Sequence, residues 1–80
     1  MTESYRQLRL QRFAIHVEGQ RLHAFLHDLS LGTGLRFEAT EASAHEGIEV
    51  SDRSLTADVI LQRTRLPWRV REDGSILVGR

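Results

Sequence analysis

Cysteine is absent from this 80-residue chain, and so is lysine; proline occurs once, at Pro67, and aromatic residues make up 6%. Without cysteine there is no disulfide and no thiolate metal site, and redox chemistry says nothing about the compartment. All 11 positive side chains are arginine and they are matched by 11 acidic ones, a net charge of zero. That removes the broad basic field on which non-specific nucleic-acid binding relies. The lack of lysine reads as nucleotide bias in a GC-rich genome rather than as selection for the bidentate geometry of arginine. No long apolar run occurs, and the start, MTESYRQLRL, is not expected to act as a signal peptide or membrane anchor. A chain of this length is one small domain with little capacity for a deep catalytic pocket.

What the chain does contain is an internal echo. VEGQRL (Val17 to Leu22) and VSDRSL (Val50 to Leu55) each run from Val to Leu across a polar tetrapeptide. Each is followed by a Leu- or Val-bearing stretch that closes on Thr-x-Leu-x-aromatic, as TGLRF (Thr33 to Phe37) and TRLPW (Thr64 to Trp68). Val17 and Val50, Leu22 and Leu55, and Leu26 and Val59 are each 33 apart, whereas Thr33 and Thr64 are 31 apart, so the second helix should be two residues shorter. Two units cannot stack as a solenoid, so they are expected to pack on each other around one core.

The pattern predicts an α+β fold in which a strand-helix-strand unit is used twice, followed by a final hairpin strand. Residues 1–12 read as a lead-in or the start of an edge strand, and 13–80 as the domain. Phe13 to Val17 alternate as a half-buried strand that Gly19 should end. Leu22, Phe25, Leu26 and Leu29 recur at helical spacing, and Gly32 and Gly34 supply the stop. Leu35, Phe37 and Ala39 form a second strand, and Ile48 and Val50 a short third. Ser54 is the expected N-cap of a helix from Leu55 to Thr64. There Val59, Ile60 and Leu61 are consecutive, so that helix should be covered from more than one side. Pro67 ends it, Trp68 and Val70 alternate with Arg69 and Arg71, and Asp73-Gly74 marks a hairpin leading to Ser75 to Val78.

These residues resemble the STN domain, the short domain at the N-termini of secretins and TonB-dependent receptors. VEGQRLHAFLHDLSLGTGLRF is similar to its first half, with Val17, Gln20, Leu22, Leu26, Leu29, Thr33, Gly34 and Leu35 in register and Ser30 in place of a small alanine. SLTADVILQRTRLPWRVREDGSILV is similar to its second half. Glu18 and Arg21 stand where that family has prolines, and Arg63 and Arg65 where it has glycines. The resemblance implies two helices packed between a two-stranded and a three-stranded sheet. It also implies a periplasmic protein-protein interaction domain of a Gram-negative bacterium, which either relays receptor occupancy to a sigma-factor regulator or helps assemble a secretin channel in the outer membrane.

No residue pattern points to catalysis, a metal or a cofactor. His23 and His27 share a helical face at metal-ligand spacing but lack a third ligand nearby in sequence. Ser30, His27 and Asp28 cannot form a triad, because helical neighbours point apart. Gly32-Thr33-Gly34 follows a helix and lacks the lysine of a phosphate loop, so a helix C-cap is expected there. His16 and His45 carry no expected role, and Trp68 is expected in the core. Glu38, Glu41, Glu46, Glu49 and Asp52 run without an arginine among them, and Arg63, Arg65, Arg69 and Arg71 run without an acid. Such polarity suits docking to another protein or a second copy of the domain. The candidate partner-binding residues are Glu49, Arg69 and Arg71, beside candidate strand edges at Ile48 to Ser51 and Ser75 to Val78. A small RNA-binding α+β domain is the alternative, weakened by the neutral charge and the lack of an aromatic strand motif or a Gly-x-x-Gly clamp.

Overall fold

A computed structural model describes residues 3–80 of the chain. The order is α1 (Glu3–Leu10), β1 (Arg12–Arg21), α2 (Leu22–Thr33), β2 (Phe37–Ala39), β3 (Gly47–Thr56), α3 (Ala57–Arg63), β4 (Trp68–Val70) and β5 (Ile76–Val78). The repeated unit is visible as β1-α2-β2 and β3-α3-β4. The first strands of the two units pair antiparallel as a two-stranded sheet, and their second strands flank β5 in a three-stranded sheet of order β2-β5-β4, parallel on the β2 side. Fold class and layering are those expected.

Both long strands outrun their sequence pattern, because each contains a bulge. Gly19 does not end β1: it adopts φ 69° inside the irregularity between Val17 and Gln20, and pairing resumes through Arg21. A bulge inserts an extra residue, and glycine supplies the left-handed backbone it needs without steric cost. The other bulge lies opposite Phe13 to Ile15, where pairing steps from Leu55 to Asp52 on β3. There the Asp52 carboxylate accepts the backbone N–H groups of Arg53 and Ser54 at 2.6 and 3.2 Å. The buried set on β3 accordingly changes phase, from Ile48 and Val50 to Leu55. Ser54 is therefore strand, not a helix cap; its hydroxyl accepts from Arg12 Nε at 2.7 Å. The N-cap position of α3 falls to Thr56, whose hydroxyl donates to the Asp58 carboxylate rather than serving a backbone amide.

The core is built from the predicted stripe of α2 (Leu22, Phe25, Leu26, Leu29), from Ile60 and Leu61 of α3, from Ile48, Val50 and Leu55 of β3, and from Phe37, Leu66, Ile76 and Val78. The segment before Arg12 corrects the expectation of a lead-in or edge strand. It is a helix that packs on α3 and β3, with Leu8 wholly buried. That helix supplies the second cover on α3 which Ile60 and Leu61 require, while Val59 stays half-buried. The β4–β5 hairpin closes as expected: Arg71 N–H donates to Ser75 O at 2.8 Å across Asp73-Gly74. One expected edge is displaced, because β5 returns between β2 and β4 and is the central strand. Ser75 to Val78 thus offers no open edge.

Candidate docking surface

Both units end their helices with a threonine clasp, reaching back four residues in the first and three in the second. In the first, Thr33 Oγ1 donates to Leu29 O and accepts from the N–H of Leu35, and Gly34 follows at φ 77°, its N–H bonded to Ser30 O at 2.9 Å. In the second, Thr64 Oγ1 donates to Leu61 O and accepts from the N–H of Leu66, and Arg65 follows at φ 63°. Gly34 pays nothing for left-handed backbone, whereas a residue with a Cβ pays about 1–2 kcal/mol. Arg65 is the one non-glycine residue with positive φ among the described residues.

Arg65 stands on the wall of a groove of about 700 Å³, lined by Gly19, by residues 47–51 of β3 and by Gln62, Arg63 and Thr64. Inward Ile48 and Val50 and outward Glu49 and Ser51 all line it. Successive residues of a strand point to opposite faces, so a groove that residues 47–51 all line runs along the strand, and at the Gly19 bulge it reaches over to β1. The edge of β3 away from β1 is unpaired: β3 has β1 as its one sheet neighbour, and no turn or loop backbone bond among the described residues reaches 47–56. Arg63 is drawn toward Asp52, 3.8 Å away. Arg65 is exposed and its side chain forms no ion pair or hydrogen bond among the described residues.

Of the candidate partner-binding residues, Glu49 is exposed and lines this groove. Arg69 is exposed on β4, in the other sheet, where it lines a separate 320 Å³ concavity with Pro67, Trp68 and Arg80. Arg71 is engaged within the domain: it lies 2.9 Å from Glu38, which is 3.7 Å from Arg36, which in turn reaches Asp73 at 3.0 Å. This chain of charges ties the hairpin to β2. Ser75 holds the Asp73 carboxyl below its ordinary pKa of 3.8, first through its hydroxyl and then through its backbone N–H, with Arg36 adding to the effect. The structure therefore does not gather Glu49, Arg69 and Arg71 into one site. Arg65, which does join Glu49, was legible in the sequence as one of the arginine run and as a residue standing where the STN family has a glycine, and was not singled out as a binding residue.

The residues weighed for chemistry have other employment. Ser30 donates to Leu26 O at 2.8 Å and accepts from the N–H of Phe37 at 3.0 Å, fastening β2 to α2. Asp28 accepts from Gln20 Nε2 at 3.0 Å. His23 and His27 are exposed, and the His23 ring meets His45 edge-on at 5.3 Å. His16 Nδ1 lies 3.1 Å from Ser51 Oγ. Among the described residues no three histidine or acidic side chains converge as metal ligands, and no helix is long and apolar enough to cross a membrane. Trp68 is half-buried at the margin of the core rather than inside it. Comparison with known proteins found no matching family model, no similar curated protein and no similar solved structure.

Proposed function

We propose that this domain is a non-enzymatic protein-protein interaction module that receives a strand of its partner. It would act in the periplasm as an STN-like part of a TonB-dependent transducer, its sigma-regulator partner or a secretin. The observation that carries this function is the unpaired edge of β3, a ten-residue strand opening onto a groove. An added strand satisfies main-chain groups on the edge, while neighbouring side chains select the sequence. The cellular setting rests on the STN resemblance, which the twice-used strand-helix-strand unit and its two sheets support.

Titration of isotope-labelled domain with the periplasmic protein encoded beside it tests this function by NMR. Shifts and slowed amide exchange at 47–51 are expected. Shifts confined to the exposed face of α2, or tight binding to single-stranded RNA instead, would refute it.

A further inference from the structure

The second unit puts an arginine where the first puts a glycine, at a backbone angle that penalises any side chain. Space is not the reason for the glycine, because a Cβ built at Gly34 would meet nothing within 4 Å. Strain at such a position persists when something else requires the residue. Nothing within the domain does: the Arg65 side chain is exposed and unpartnered among the described residues. Its place on the groove wall, opposite the β3 edge, is what distinguishes it. The charges in the groove are ordered as well. Arg63 is partly offset by Asp52 at 3.8 Å, so Arg65 is the uncompensated cation on the helix side, while Glu49 projects from the strand side.

We propose that the groove binds an extended acidic segment of a partner protein, its backbone pairing with residues 47–51 of β3 and a carboxylate seated on Arg65. The proposal rests on the strand-docking function above and adds the chemistry of the ligand. A guanidinium binds a carboxylate through two parallel N–H donors, which fixes position along the strand as well as charge. Glu49 repels an acid placed opposite it, so the acidic residues of the ligand belong at its Arg65 end alone. A left-handed Arg65 also aims its side chain from a turn immobilised by the Thr64 clasp, which reduces the ordering cost of binding.

The decisive variant is Arg65→Gly, because strain and function predict opposite effects from one substitution. The probe is an amidated peptide of alternating valine and threonine closed by a pair of glutamates, with lysine-closed and glutamine-closed versions beside it. The wild-type domain is expected to show NMR shifts at 47–51 and 63–65 with the glutamate peptide, weakening as salt is added. Arg65→Gly is expected to melt about 3 °C higher, the relief of strain less the added freedom of glycine in the unfolded chain, and to bind that peptide about tenfold more weakly, the equivalent of one charge-assisted hydrogen bond. Arg65→Lys should retain part of the affinity. If all three peptides enter the groove equally and Arg65→Gly binds as wild type, the carboxylate site is overturned while strand docking stands. If no peptide perturbs 47–51, both fall. Concentration-dependent dimerisation in sedimentation, with the same groove signals lost, would assign the edge to a second copy and overturn the acidic ligand.

Discussion

Replacing Leu8 by alanine tests whether the first helix belongs to the folding unit. Leu8 has no exposed surface and seats α1 against α3 and β3. Its truncation removes the transfer free energy of the lost methyl and methylene groups and leaves a cavity, which together cost about 2–5 kcal/mol in well-packed cores. A domain of this size has a total stability of about 4–12 kcal/mol, so the loss is a large share of the whole. At about 4–8 °C per kcal/mol, the melting temperature should fall by about 8–40 °C. Leu10, 70% exposed on the same helix, is the control, and Leu10→Ala should stay within about 0.5 kcal/mol of wild type. Urea titrations followed by circular dichroism measure both. A Leu8→Ala midpoint equal to that of Leu10→Ala would mean that α1 is not docked in solution, and deletion of residues 1–11 would then also be silent.

Gly34→Ala keeps ample space but meets the φ penalty, so a loss of about 1 kcal/mol is expected in the same titrations; an unchanged midpoint would contradict the left-handed cap. Gly79→Ala should cost more, about 3 kcal/mol, because strain at φ 123° is joined by a Cβ that would collide with Thr40 Oγ1 and lie 2.8 Å from Ser43 Cβ. Equal losses at the two glycines would rule out that collision. Asp73 has a folded pKa below its unfolded one, so its contribution is complete above about pH 4 and is lost as pH falls through the depressed value. Asp73→Asn should therefore melt lower than wild type at neutral pH, with the gap narrowing as pH falls through the depressed value. A constant gap at all pH values would assign the loss to packing instead of charge.

The parts of the fold legible in the sequence were those governed by one simple period. The α2 stripe and its glycine stop follow from 3.6-residue spacing, and Asp73-Gly74 from turn chemistry, so both stand where expected. Strand lengths failed at Gly19 and at Asp52 to Ser54, because a bulge shifts the alternation by one residue and a single-period template stops there. Ser54 failed as a cap for the same reason: its backbone belongs to a strand that had not finished. The helix at Glu3–Leu10 was hidden because the segment is polar and, among the residues whose burial is described, Leu8 alone is buried, and one position defines no period. The central place of β5 is a property of topology, set by parallel pairing with β2, and no local pattern records it.

The candidate docking surface was half legible for a related reason. Exposed charge is visible in sequence, but its commitments are not: Arg71 and Arg69 look alike, yet Glu38 holds the first and nothing described here pairs with the second. The duplication resolves part of this. When a unit is used twice, shared features such as the Thr33 and Thr64 clasps report what the fold requires, and differences between the copies fall where the fold is indifferent or where something outside it is being served. Gly34 against Arg65 is such a difference, and indifference is a poor account of it because the backbone angle disfavours arginine. The first unit spends its turn on folding alone, with Ser30 fastening β2 just beyond it. The second places a charged, strained residue at the same turn beside an open strand edge, so divergence between the halves falls on the proposed docking surface.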